Sequence, residues 1–183
     1  MFFTKLKLPV ELKPYDYGMN NPEEFCELEM SMDHINRELH DFLRSLNLEI
    51  IKPRYFHSGP PHIYRLHIDI PTRPNRYTRL NWVFGGAGSE MVWYASKPGK
   101  VPTVMQNNLG ENYQIYDLED CDEIGRGHVI GPNLVDVGTI HNLIGGSEQR
   151  HCYSFFLRDK KGNGDRLEWS QAIEKFAPFM ERS

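Results

Sequence analysis

The segment Leu66-His67-Ile68-Asp69-Ile70 places an imidazole and a carboxylate two positions apart within an apolar run. On a β-strand, alternate side chains share a face. His67 and Asp69 then point one way, and Leu66, Ile68 and Ile70 the other. One face can join a core while the opposite face offers two metal ligands side by side, with no distortion of the backbone. Alone, this pair is a weak signal. Eight histidines and 25 acidic residues produce such spacings by chance, and a histidine hydrogen-bonded to an aspartate explains the pair equally well.

A second constellation lies downstream. The run from Asn133 to Thr139 (strand 133–139) and on to His141 reads as a strand ending in a histidine, and nine positions later Arg150 opens another. Along 150–154, Arg150, Cys152 and Ser154 share a face, opposite His151 and Tyr153. A guanidinium and a hydroxyl on one strand face suit a carboxylate, which arginine grips with two parallel charge-assisted hydrogen bonds. Two histidines with one carboxylate are also a ligand set that leaves positions on a divalent metal open.

With these pieces in this order, the sequence resembles the 2-oxoglutarate/iron(II) oxygenase superfamily, whose pattern is HxD, a distal His, and an Arg about ten residues on. The runs HID, RLNWVF, EMVWYA and VGTIHNLIGGSEQRHCYSF look like small HxD-type members related to the aspartyl/asparaginyl hydroxylase group, over residues 66–157 or about half the chain. The resemblance implies a mainly β fold, a double-stranded β-helix (jelly roll, cupin-like), with Fe(II) held by His67, Asp69 and His141. It implies that Arg150 binds the distal carboxylate of the cosubstrate 2-oxoglutarate, assisted by Ser154. Asn81, on one face with Arg79, would help bind the oxoacid end or the substrate, and Trp93 and Tyr94 would line the pocket. The implied reaction consumes dioxygen, releases succinate and carbon dioxide, and hydroxylates a small molecule or an exposed protein side chain. Asp69 argues against halogenation, since halogenases replace that ligand.

The elements that must position these residues are partly readable. Asn21 as cap, Pro22, Glu23 and Glu24 at the start, and Phe25, Leu28, Met32, Ile35, Leu39, Phe42 and Leu46 at steps of three and four predict a helix over 22–46. His34 and His40 fall off that stripe and read as solvated. Trp169, Ile173 and Phe176 predict a second, short helix. Between the helices, period-two runs predict strands at 63–70, 77–84, 90–95, 133–139 and 151–157. The glycine-rich stretch 85–90 lacks the lysine of a phosphate loop and reads as a hairpin turn. Residues 96–131, with acidic Asp117, Glu119, Asp120, Asp122 and Glu123, read as an irregular surface excursion or a substrate lid. Arginines 65, 73, 76 and 79 read as a solvated basic edge, or as a grip on an acidic substrate group.

The totals are compatible with one domain over 1–183, helical support at about 22–46 and a β-helix core at about 60–160. At 183 residues, 39% hydrophobic and 25% charged, with ten Phe, nine Tyr and three Trp, the chain can bury a sizeable core. A net charge of -4 argues against a dedicated nucleic-acid binder. Three dispersed cysteines (Cys26, Cys121, Cys152), no signal-peptide pattern and no long apolar run fit a cytoplasmic protein off the membrane. His57, His62 and His128 have no partner at metal-ligand spacing, and His151 should face away from Arg150. No GxSxG elbow and no Cys–His pairing supports nucleophilic catalysis. Two other readings stay open: a cupin-like metalloenzyme that does not use 2-oxoglutarate, and a metal-free jelly-roll binding module.

Overall fold

The computed structural model describes residues 1–14, 25–60, 63–69, 76–107, 109–162 and 166–181. In chain order its strands are β1 (Phe3–Lys5), β2 (Cys26–Glu29), β3 (Leu48–Ser58), β4 (Leu66–Ile68), β5 (Thr78–Gly85), β6 (Glu90–Ser96), β7 (Thr103–Gln106), β8 (Asn112–Tyr116), β9 (Cys121–Gly127), β10 (Gly131–Asp136), β11 (Ile140–Ile144) and β12 (Arg150–Asp159). Helix α1 (Arg37–Ser45) precedes β3, and α2 (Trp169–Phe176) follows β12.

The strands form one long ribbon. β3 to β6 run outward and β9 to β12 run back, pairing antiparallel as β3 with β12, β4 with β11, β5 with β10 and β6 with β9. Successive ribbon strands alternate between two sheets, ordered β1-β10-β5-β12-β3-β2 and β7-β8-β4-β11-β6-β9. A hairpin ribbon coiled into two facing sheets is a double-stranded β-helix, the jelly-roll solution to burying sheet faces. β7 and β8 form a hairpin at the tip of the ribbon, laid against β4.

Period-two alternation sorts the side chains. Leu80 and Trp82 of β5 and Tyr153, Phe155 and Leu157 of β12 face outward, into a core capped by Leu39, Phe42 and Leu43 of α1 and by Trp169 and Phe176 of α2. Asn36 caps α1 by accepting from the Leu39 backbone N–H at 3.0 Å, a contact worth about 1 kcal/mol. Between the sheets lies a second core of Val83, Trp93, Val135, Cys152 and Phe156. The remaining inward positions of β5 and β12, namely Arg79, Asn81, Arg150 and Ser154, are buried and polar. Among the described residues no helix is long and apolar enough to cross a membrane.

Several expectations are corrected. The helix over 22–46 is instead a strand, a 3-10 turn (Met32–His34) and the shorter α1; Asn21, Pro22, Glu23 and Glu24 lie outside the described residues. Phe25, Leu28 and Met32 are more than a third exposed, because a strand and a turn cannot continue the helical stripe. Strand 63–70 contracts to β4, with Ile70 outside the described residues. The run leading to His141 is broken after Asp136. Its carboxylate accepts from the Gly138 N–H (3.0 Å) and the Thr139 hydroxyl (2.8 Å), an Asx-type turn that carries the chain into the other sheet. The glycine turn at 85–90 likewise joins β5 to β6 across sheets and closes no hairpin. Residues 96–131 hold β7, β8 and β9; β7 is exposed throughout, β9 mostly so and β8 largely half-buried, so none shows a clean alternation. Of the acidic residues here, Asp122, Asp120 and Glu123 pair with Lys97, Lys100 and Arg126 respectively.

Candidate metal centre

His67 and His141 face each other as directly paired residues of β4 and β11. Their ring centroids are 4.5 Å apart. Asp69 follows β4, and its backbone N–H donates to the Val137 carbonyl at 3.4 Å, within the turn that precedes His141. One ligand atom from each of the three residues lies within 4.8 Å of the others. Asp69 Oδ1 is 3.2 Å from His67 Nε2 and 3.8 Å from His141 Nε2.

The tautomers are set by the backbone. His67 Nδ1 is 2.8 Å from the Arg65 carbonyl, and His141 Nδ1 is 2.8 Å from the Thr139 carbonyl. A carbonyl only accepts, so each Nδ1 carries a proton and each Nε2 is the nitrogen turned towards Asp69, the one a metal would take once its own proton is gone. This second contact is what metal-ligating histidines generally make.

The charges are arranged for cation binding. Burial alone would raise the pKa of Asp69, but Arg79, a hydrogen bond from His67 and the charge on His141 hold it well below the usual carboxylate range. Burial, reinforced by His67, pulls His141 down to about 4, so it is neutral at physiological pH. Burial opposes the charge on His67 as well, yet hydrogen bonding and attraction from Asp69 lift its pKa above the ordinary value. Two imidazole nitrogens and one ionised carboxylate oxygen, all aimed at one point, are a donor set that fits a divalent first-row metal.

The cluster opens into a cavity of about 420 Å³ that Arg79, Asn81, Arg150, Cys152 and Ser154 also line. That volume suits a small-molecule ligand. Arg150 is 6% exposed, and its Nε is buried with no hydrogen-bond partner among the described residues. Such an orphan is costly unless a ligand fills it. Across the strands, the Ser154 hydroxyl donates to Asn81 Oδ1 at 2.6 Å and accepts from Arg79 Nη1 at 3.3 Å. The Ser154 proton is therefore committed to Asn81, which leaves the Asn81 amide nitrogen as the neutral donor of the group.

The structure thus brings His67, Asp69 and His141 together, with Arg150, Ser154 and Asn81 on the same cavity. It does not bring Trp93 or Tyr94 there. Trp93 is fully buried against Phe2 and Phe3, donating to the Asp136 carbonyl at 2.9 Å, while Tyr94 faces the other side of its sheet. The solvated basic edge fails for buried Arg79, whereas Arg76 is exposed as expected although it reaches a buried partner. Arg76 is bound to fully buried Asp136 and Arg79 to Asp69; Arg65 is exposed, and Arg73 lies outside the described residues. His151 turns away from Arg150 to the Tyr55 hydroxyl (2.6 Å), His57 is buried beside it, and His128 bonds the Ser89 carbonyl; His62 lies outside the described residues.

Sequence reasoning missed the part of Arg79 in the site and the cavity carboxylates Glu27 and Glu111. The signal for Arg79 was its strand parity with Asn81. Glu27 sits on β2, inside the segment whose spacing reads as a helix, and Glu111 precedes β8, in the stretch that reads as irregular.

The fold and site together define a double-stranded β-helix with a two-histidine, one-carboxylate cluster at the floor of a ligand-sized cavity. No family model and no curated protein matches the sequence. Solved structures of similar shape include an oxidoreductase of the 2OG-Fe(II) oxygenase family from Burkholderia pseudomallei (12% identity, 72% of this chain and 56% of that one, TM-score 0.40). Others are an oxalate oxidase in complex with the substrate analogue glycolate (13%, 79% and 55%, TM-score 0.32) and a cupin 2 domain-containing protein from Halorhodospira halophila (11%, 91% and 88%, TM-score 0.33). The chain spans just over half the length of the first two.

Proposed function

We propose that this protein is an Fe(II)- and 2-oxoglutarate-dependent oxygenase acting on a small molecule or an exposed protein side chain. One observation carries the reading: two backbone-locked imidazoles and a carboxylate converge in a cavity whose wall holds a buried arginine with an unpartnered Nε. His67, Asp69 and His141 would hold the iron, leaving open positions for the oxoacid and dioxygen. When bound, the iron and 2-oxoglutarate supply the oxidising chemistry.

The chain's own residues bind and orient. Arg150 grips the distal carboxylate of the cosubstrate, which fixes how far the oxoacid end reaches towards the triad. Asn81 offers its amide N–H beside that path. The Arg65 and Thr139 carbonyls keep both imidazoles in the ligating tautomer, and Arg79 keeps Asp69 ionised.

Anaerobic titration with Fe(II) and then 2-oxoglutarate tests this. The expected result is stoichiometric iron and a visible metal-to-ligand charge-transfer band that appears only with both. Iron binding without a band, and with no response to loss of Arg150, would assign the chain to the cupin-like metalloenzymes that need no oxoacid. No metal uptake at all would leave a binding module.

A further inference from the structure

We infer that Arg79 is a positioning residue that reserves one oxygen of Asp69, so that this carboxylate ligates a metal through Oδ1 alone. The inference rests on the metal reading above and deepens it.

The geometry divides the two carboxylate oxygens. Oδ1 faces both imidazoles, whereas Oδ2 accepts from Arg79 Nε at 2.8 Å. Nothing about an aspartate beside two histidines enforces that division. An unrestrained carboxylate can close on a metal with both oxygens and occupy a further position. Asp69 lies just past the end of β4, where its backbone N–H bond to the Val137 carbonyl holds the main chain but does not choose between the carboxylate oxygens, so that choice has to come from a side chain.

Arg79 is held firmly enough to supply it. It is 5% exposed, and its guanidinium carbon lies 3.9 Å from the Phe156 ring centroid, the residue directly across from it on β12. Nη1 donates to Ser154 at 3.3 Å. A second guanidinium, from Arg166, sits 4.3 Å from the same ring. Burying a guanidinium beside another opposes folding unless its contacts are well used. The contacts Arg79 does make run from Oδ2, the oxygen of Asp69 turned away from the imidazoles, to the Ser154–Asn81 pair. It therefore ties the aim of Asp69 to the wall that the cosubstrate would touch.

Two experiments test this, neither needing turnover. In wild-type protein loaded with diamagnetic Zn(II), the Arg79 Nε–H signal in ¹⁵N NMR is expected to stay protected from exchange, as in the metal-free protein. Loss of that protection on Zn(II) binding would mean that the metal has taken both oxygens, and the inference fails. Second, Arg79→Met should weaken Zn(II) and Co(II) binding by about 10- to 100-fold, the range typical of outer contacts to ligands. It should also alter the Co(II) visible spectrum, while Arg79→Lys recovers part of both. Folded Arg79→Met with wild-type affinity and spectrum overturns the proposal. Should neither variant fold, the wild-type NMR result decides alone. Wild-type protein that takes up neither metal sinks the metal centre itself, a different outcome from a centre indifferent to Arg79.

Discussion

Replacing Arg150 with methionine should separate stability from cosubstrate binding. Arg150 opens β12 between Ser58 of β3 and Gly85 of β5, 6% exposed, with its buried Nε unpartnered. Removing one partner of a buried, hydrogen-bonded charge pair costs about 2–5 kcal/mol of binding. At 1.4 kcal/mol per decade this is roughly a 30- to 4,000-fold rise in the Kd of 2-oxoglutarate. The unliganded protein should behave in the opposite sense. Methionine fills much of the same volume and removes an Nε–H that has no acceptor among the described residues, so unfolding should be unaffected or harder. Because about 1 kcal/mol moves Tm by roughly 2–4 °C at this size, Tm should hold or rise by a few degrees. Iron affinity should not change, since Arg150 touches none of His67, Asp69 or His141. Calorimetry with 2-oxoglutarate, a thermal melt without ligand and a metal titration measure all three. Unchanged 2-oxoglutarate affinity beside a Tm fall of more than about 8 °C would make Arg150 a structural residue and refute the reasoning.

Asp69→Asn should remove metal binding and also leave the Arg79 guanidinium buried without its counter-charge. The cost is about 3–5 kcal/mol, and the Asp69→Asn/Arg79→Met double variant should recover much of it in a denaturation cycle. In metal-free protein followed by imidazole NMR, His67 should take up its proton at a pH above the ordinary histidine value, and His141 only near pH 4. A metal must displace the His67 proton, so affinity should be flat at high pH and fall by roughly tenfold per unit once His67 is protonated. Titration of His141 before His67 would contradict the assigned geometry. Gly86→Ala should lower both stability and 2-oxoglutarate affinity. Gly86 has φ +71°, and a Cβ there would stand 2.8 Å from Arg150 Cβ; wild-type values in a melt and a binding titration would refute the contact.

What could be read from the sequence was what alternation encodes. His67 and Asp69 share a face because they are two apart, and Arg150 and Ser154 share one because they are four apart. Those parities hold wherever the strand ends fall. Parity also placed Arg79 beside Asn81, but its charge suggested water. Only the pairing of β5 with β12, which sets Phe156 under the guanidinium, turns it inward. β3 was hidden by its own chemistry. Lys52, Pro53 and Arg54 interrupt the apolar pattern, and proline argues against a central strand. Pro53 is tolerated because its carbonyl side faces Met30 (3.2 Å), just past the end of β2. Lys52 and Arg54 are tolerated because Glu27, Glu29 and Glu111 meet them. None of those partners is close in sequence, so no local pattern could announce them.

The same dependence on pairing explains where the fold places its irregularities. β12 is in unbroken register with β5 from Arg150 to Phe156, and its bulge against β3 comes only after Phe156. A slip of one residue earlier would exchange Arg150, Cys152 and Ser154 for His151, Tyr153 and Phe155 on the inner face. The cavity would gain apolar rings and lose its cation. Likewise the Asp136 turn shifts the chain between sheets before His141, so that His141 arrives opposite His67. The metal cluster and the arginine thus depend on two separate ladders, one in each sheet. Arg79 bridges those ladders, reaching from β5 in one sheet to Asp69 beside β4 in the other. Mutations that loosen one sheet against the other should therefore disturb metal and cosubstrate binding together, with the effect passing through that ion pair.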